Sequence, residues 1–144
     1  MVILLFLLIF CTSSHAAEWP VTPQDCLAAN IYHEARGESL LGQYMVAYVT
    51  MNRVHSDRFP NTICAVVKQS KQFSWFKKGK SKFPKDRESW TKACSVATKF
   101  ILNMPISRVD MTEGALYYHA TYVRPVWRLR KTYIGRVGNH LYYR

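Results

Sequence analysis

Of the nine acidic residues in the chain, two fall one helical turn apart in a single stretch, Ile31-Tyr32-His33-Glu34-Ala35-Arg36-Gly37-Glu38, at the end of an apolar-faced segment. A carboxyl group set beside apolar side chains is harder to ionise, and a raised pKa lets a glutamate release a proton near neutral pH. Cleavage of a glycosidic bond needs such an acid to protonate the leaving oxygen. The same position also suits a carboxylate that pairs with an arginine or caps a helix, and spacing alone does not choose between them. A zinc-peptidase reading of His33-Glu34 fails because the required second histidine, four residues after the first, is replaced by Gly37. Cys26 and His33 lie two helical turns apart, too far for a thiol–imidazole pair on one helix.

The elements that must position Glu34 announce themselves locally. Thr22-Pro23-Gln24-Asp25 has a capping residue, a proline suited to the first helical position and a carboxylate able to reach back, so a helix begins here. Leu27, Ile31 and Glu34 share one face of it, and Gly37 is expected to end it in a left-handed conformation. Ser39 caps a second helix running to about Val54, whose Leu41, Tyr44, Met45, Tyr48, Val49 and Asn52 form a broad face suited to the centre of the core. Asn52 and Arg53, at its end, either hold Glu34 or Glu38 or lie on the surface. Phe59-Pro60-Asn61 marks a turn, a short helix follows from Ile63 to about Gln69, and a longer one runs from about Ser89 to Leu102, with Pro105 beyond it. After Glu113 no acidic residue remains. Segments 115–119 and 131–143, rich in Tyr, Val and Ile and broken by Gly135 and Gly138, read as strands of a small antiparallel sheet. The fold class is therefore α+β, mainly helical, in one domain.

Met1 to Phe10 are all apolar, and small residues follow up to Ala17, the pattern of a signal peptide over residues 1–16 that leaves a mature domain at 17–144. That run is too short for a membrane span, which needs roughly 20 apolar residues. No stable membrane anchor is expected, and the protein is expected outside the cytoplasm, as a periplasmic or cell-wall-associated monomer. A net charge of +11 draws it to anionic partners: nucleic acid, acidic membrane or bacterial wall. Gln72-Phe73-Ser74-Trp75-Phe76 lies among Lys68, Lys71, Lys77, Lys78, Lys80, Lys82, Lys85 and Arg87. Rings interleaved with cations suit single-stranded nucleic acid, and equally a groove for an anionic sugar polymer.

The words His33-Glu34-Ala35-Arg36-Gly37-Glu38, Gly42-Gln43, Asn52-Arg53, Phe59-Pro60-Asn61-Thr62-Ile63, Gln72-Phe73-Ser74, Gly114-Ala115-Leu116-Tyr117-Tyr118 and Ile134-Gly135…His140-Leu141-Tyr142-Tyr143 come in an order that resembles the SleB-type cell wall hydrolases, the spore-cortex-lytic enzymes and their relatives. The resemblance runs from about Asp25 to Arg144. It implies a lysozyme-like, mainly helical domain that cuts the glycan strands of peptidoglycan, typically as a lytic transglycosylase, with the catalytic glutamate at Glu34. It turns the aromatic and basic loop toward peptidoglycan rather than nucleic acid, with Gln72, Phe73 and Ser74 as groove residues. Tyr117 and Tyr118 point to opposite faces of a strand, and Tyr118 is the one expected to wall the site. His119 and Trp127 complete the set of candidate substrate contacts, although histidines in strands are usually packed or exposed and Trp127 suits a core as well as a groove. No metal and no cofactor are expected. Two other readings stay open, a muramidase-type hydrolase and a secreted cationic protein that binds wall or nucleic acid without cutting. Removal of the signal segment leaves Cys26, Cys64 and Cys94, enough for one bridge. The expected pair is Cys26–Cys64, with Cys94 a buried thiol in an apolar helix.

Overall fold

The computed structural model describes residues 20–69, 72–73, 75–76, 83–103 and 110–144. The expected signal segment 1–16, the residues Lys71, Ser74, Lys77, Lys78, Lys80 and Lys82, and Pro105 lie outside them. Helices α1 (Pro23–Ala35), α2 (Leu40–Val54), α3 (Ile63–Lys68) and α4 (Arg87–Asn103) come first. Strands β1 (Tyr117–Ala120), β2 (Tyr133–Val137) and β3 (His140–Tyr143) follow, with a 3-10 turn at Val126–Arg130 between β1 and β2.

Each helix starts where a side chain can satisfy its orphan N–H groups. Thr22 and Asp25 form a reciprocal capping box with Pro23 in the first turn, Ser39 accepts from the Gly42 N–H, and Thr62 accepts from the Ala65 N–H. Asp86 accepts from the N–H groups of Glu88 and Ser89. The end of α1 departs from the sequence expectation. Its last residue is Ala35, Arg36 caps it in right-handed geometry, and Gly37 is absent from the positive-φ glycines. The turn is closed instead by the Glu38 N–H donating to the Ala35 carbonyl, just before Ser39 starts the next helix.

Helix α1 is buried nearly all round rather than along one stripe. Cys26, Ala28, Ala29, Asn30 and Tyr32 are buried together with Leu27 and Ile31, because α1 packs against α2, α3 and α4. Small residues on its flanks let those helices approach closely. Helix α2 has two partners. Val46, Ala47 and Met51 join the main core with Val96, Ala97 and Phe100 of α4. Met45 and Val49 on its other side meet Ala115 and Tyr142, with Tyr118, Ile134 and Val137 packed around them. Tyr44 and Tyr48 lie against Phe100, so they serve the core.

The sheet is antiparallel in the order β1-β3-β2, with a bulge between Tyr133 and Gly135. Two polar devices fix it to the helices. Asn52 donates to Asp110 Oδ2 (2.9 Å), Thr112 Oγ1 (2.9 Å) and the Ala115 carbonyl (3.1 Å), which sets the loop entering β1. Asp110 also takes the N–H groups of Thr112 and Gly114. Burial pushes its carboxyl up, but the hydrogen bonds from Thr112, Gly114 and Asn52 hold it below the usual value. Glu38 accepts from the Asn139 N–H (3.2 Å) and so pins the β2–β3 turn to the start of α2. Gly138 has φ +55° there, and a Cβ at that position would run into the Glu38 carboxylate.

Cys26 and Cys64 form a disulfide, tying α1 to α3 as expected. Cys94 is a free thiol, but half-buried rather than fully buried. The bridge spans 38 residues of sequence, for which the chain-entropy relation gives roughly 3–4 kcal/mol. At about 4 °C per kcal/mol for a domain of this size, reduction should lower Tm by roughly 12–16 °C. Calorimetry with and without reductant checks this, and Cys94→Ala should leave the difference unchanged.

Candidate active site

Glu34 occupies the last turn of α1, where the fully buried body of the helix reaches the edge of the core. Strand β1 passes opposite, and alternation along the strand turns Tyr118 toward the helix while Tyr117 and His119 face away. The Tyr118 hydroxyl donates to Glu34 Oε2 at 3.2 Å. Tyr118 is itself held edge-on by His140 and tilted against Tyr142. Burial and the nearby Glu34 charge hold its phenol well above the usual range, so it remains a donor.

Arg53 supplies the positive charge. It is 5% exposed, its Nε donates to the Leu116 carbonyl at 2.7 Å, and its guanidinium lies over the rings of Phe59 (5.2 Å) and Phe73 (5.4 Å). Nη1 is buried with no hydrogen-bond acceptor among the described residues. Burial lowers the Arg53 pKa, and the neighbouring Tyr118, Tyr117 and Glu34 oppose that. A guanidinium stays charged even so. For Glu34 the balance runs the other way. Burial raises its pKa, and the Tyr118 hydrogen bond and the Arg53 charge recover only part of that rise.

One turn before Glu34, buried Asn30 donates to Thr50 Oγ1 (3.2 Å) and accepts from Trp75 Nε1 (3.3 Å). The Trp75 ring stacks on His33 at 4.3 Å, and Phe76 meets it edge-on. Trp75, from the aromatic and basic loop of the sequence, is thus anchored to the helix that carries Glu34. Tyr32 holds the far end of the same connection, its hydroxyl accepting from the N–H groups of Lys85 and Asp86.

The residues singled out in the sequence divide. Glu34 and Tyr118 meet directly. Phe73 is buried beneath Arg53 rather than lining an open groove, because a large ring beside a buried guanidinium shields it from water. Gln72 is exposed, and Ser74 is outside the described residues. His119 and Trp127 lie together on the opposite face of β1, in a cluster with Tyr117 and Tyr143, and not beside Glu34. Two residues had no assigned role in the sequence reading, Trp75 and Asn30. The signal for Asn30 is its place one turn ahead of Glu34; nothing local marks Trp75 as its partner. Among the described residues no group of three or more His, Cys, Asp or Glu side chains is placed to hold a metal ion.

The other described carboxylates have different duties. Asp25 and Asp86 cap helices, Glu88 pairs with Lys92, Asp110 orders a turn, Glu38 holds Asn139, and Asp57 and Glu113 are exposed. Glu34 is thus a partly dry carboxyl with one phenol donor, at the junction of a helical layer and a small sheet. Comparison with known proteins narrows the class. The chain belongs to the cell wall hydrolase family, whose profile matches residues 37–143, beginning just after Glu34. It is 32% identical over 117 residues to a spore cortex-lytic enzyme of Bacillus cereus and 31% identical over 118 residues to one of Bacillus subtilis. These matches take in 81% of this chain but 42% and 35% of those relatives, so the chain spans less than half their length. Among solved structures, the catalytic domain of the germination-specific lytic transglycosylase SleB from Bacillus anthracis superposes with a TM-score of 0.66 at 30% identity, covering 85% of this chain and 93% of that domain. The catalytic domain of Bacillus cereus SleB gives 0.63 at 31% identity, covering 85% and 90%.

The raised Glu34 pKa has a measurable consequence for stability. Between the ordinary value of 4.5 and the folded value, the folded state holds a proton that the unfolded state has lost. Stability is therefore fully present below 4.5 and falls as pH rises through the folded pKa. Glu34→Gln removes that loss. The stability difference between variant and parent should shift in the variant's favour from pH 4 to pH 7. Thermal melts of both proteins across that range check the sign.

Proposed function

We propose that this protein cleaves the glycan strands of peptidoglycan at the muramyl–glucosaminyl bond, with Glu34 as the single general acid and base, and that it leaves 1,6-anhydromuramyl ends. The observation that carries the reading is Glu34 itself, held protonatable by burial, oriented by Tyr118, with no other described carboxylate in contact with it. Pure wall binding has no need of such a group. A hydrolase that retains or inverts normally has a second carboxylate about 5–5.5 Å or 6.5–9.5 Å from the acid. Glu38, the nearest in sequence, is instead engaged with the β2–β3 turn.

The chemistry closes with one carboxyl group. Glu34 gives its proton to the glycosidic oxygen, and the C1–O bond breaks with its electron pair going to that oxygen. Positive charge develops at C1 of the muramyl residue. The Glu34 carboxylate then takes the proton of the muramyl 6-hydroxyl while O6 bonds to C1. The acid is restored and no water is consumed. Between the two steps the carboxylate is stabilised by the Tyr118 hydroxyl and the Arg53 charge. Arg53 acts through Glu34 and is a positioning residue.

A location in the periplasm or the cell wall follows from this reading, and the Cys26–Cys64 bridge, which suits an oxidising compartment, supports it. The resemblance to the germination-specific lytic transglycosylase SleB supports the transglycosylase product. Peptidoglycan as partner and a monomeric state are part of this proposal, as are the assignment of 1–16 as signal peptide and 17–144 as catalytic domain.

Zymography on isolated wall material should show clearing by the parent protein and none by Glu34→Gln with its fold intact. Glu38→Gln should keep appreciable activity, because a glutamine oxygen still accepts from Asn139. Mass spectrometry of the digest should find muropeptides lighter by one water than hydrolysed ones. A digest holding only reducing muramic acid ends would make this a muramidase and return attention to Glu38.

Arg53→Gln gives a separate test. The Arg53 charge lowers the Glu34 pKa, so its removal should carry the alkaline limb of the activity profile to higher pH. Maximal rate should fall by roughly 10–100-fold through weaker support of the carboxylate. A lower rate with an unmoved limb would leave Arg53 a purely structural residue.

A further inference from the structure

On the face of the sheet turned away from Glu34, a pocket of about 310 Å³ is lined by His119, Thr121, Arg124, Arg128, Arg136 and Leu141, with Tyr143. Its three arginines come from three separate places, the loop after β1, the 3-10 turn and β2. No acidic residue lines it, and none occurs in the chain after Glu113. Like charges gathered without a counter-ion repel one another, so the cluster costs stability unless something anionic enters it.

The floor of the pocket is built and rigid. His119 is 7% exposed and Tyr143 is 6% exposed, and their rings stack at 5.3 Å. His119 Nδ1 faces the Ala120 carbonyl at 2.9 Å, an oxygen that can only accept, so Nδ1 carries the hydrogen. Nε2 lies 3.1 Å from the Tyr143 hydroxyl, within hydrogen-bond distance. Trp127 packs edge-on against both rings from behind. On the walls, Arg124 spends Nη1 on the Thr121 and Val123 carbonyls, and Arg136 spends Nε on the Gly138 carbonyl. Among the described residues, these contacts leave the remaining N–H groups of the two guanidinium groups without an acceptor. Arg128 makes no hydrogen bond or ion pair among the described residues through its side chain. Planar forks of this kind match the paired oxygens of carboxylate and phosphate.

We propose that this pocket is a second, non-catalytic site that binds an oxyanion of the cell wall, a carboxylate or a phosphate, on the side of the sheet opposite the acid. The choice of wall anions rests on the function proposed above; the anion chemistry does not. The pocket is at the small end of ligand sites, which run about 300–1,000 Å³, so it takes a charged group and not a sugar chain. His119 and Trp127 then belong to anchoring the polymer rather than to the reacting bond.

Binding can be measured apart from cutting by using the full chain with Glu34→Gln. Three probes are titrated by calorimetry: a muramyl dipeptide for the carboxylate, a glycerol-phosphate oligomer for the phosphate, and neutral chitotetraose. At least one anionic probe should bind, and Arg124→Gln with Arg128→Gln should weaken it roughly tenfold, as expected for lost charge-assisted contacts. Arg58→Gln with Lys99→Gln, which removes equal charge elsewhere, should change it less than about twofold. Binding of the peptide alone assigns the site to stem-peptide carboxylates, and binding of the oligomer alone to wall phosphates. The proposal fails if neither anion binds better than the neutral sugar, or if both double variants weaken binding alike. Should the first pair unfold, Arg128→Gln alone carries the test. Cutting by the parent protein without anion binding would sink this inference only; anion binding without cutting would sink the catalytic one only.

Discussion

Protonating a glycosidic oxygen near neutral pH requires a carboxyl group that water and cations have not already ionised. In the proposed reading that condition is met by placing Glu34 where the core runs out, at the end of a helix buried nearly all round. The rest of the domain follows from it. A helix buried on that many sides needs three neighbours, which α2, α3 and α4 supply, and small flanking residues to admit them. The sheet must then close the open end without delivering a second charge. It does so with Tyr118, a donor that burial keeps protonated.

That closure depends on connections far apart in sequence. Asn52 holds the loop ahead of β1, so Tyr118 arrives in register with Glu34. Glu38 holds the turn after β2, and β3 carries Tyr142 and His140, which pack around the Tyr118 ring. Helix α2 thus contributes at its start, middle and end: next to the β2–β3 turn, through Met45 and Val49 beneath the sheet, and through Asn52 and Arg53 at the site. Two polar side chains do for this small sheet what a larger hydrophobic interface does in bigger domains.

Local chemistry was legible where one residue determines the outcome. The caps at Thr22 and Ser39 could be read directly, because an orphan N–H group is satisfied by a side chain within three residues. Alternation in β1 likewise separated Tyr118 from Tyr117, as strand geometry requires. What sequence could not supply was which side of the molecule a correctly placed residue faces. His119 and Trp127 were grouped with the site by type, yet one step along β1 reverses the direction of a side chain. Phe73 sits in a polar, cationic stretch and is buried only because Arg53 needs cover. The end of α1 misled for a related reason. Gly37 is a good left-handed stop in isolation, but a helix cap two residues later leaves the turn no need of one.

The distribution of charge sets two effects against each other at Glu34. A protein of net charge +11 is surrounded by positive potential, which assists capture of an anionic polymer and also favours ionisation of any carboxyl group within it. Arg53 adds to that pull at close range. Burial opposes both and prevails, so the Glu34 pKa stands above its ordinary value. These influences differ in how they respond to salt. Charges on the surface are screened over about 8 Å at physiological ionic strength, whereas the burial penalty and a buried arginine are screened much less. Added salt therefore weakens attraction to an anionic polymer more than it alters the surroundings of Glu34. In the proposed reading, capture and chemistry draw on separate parts of the same charge distribution: the arginines and lysines on the outside would serve the first, and the dry end of α1 the second.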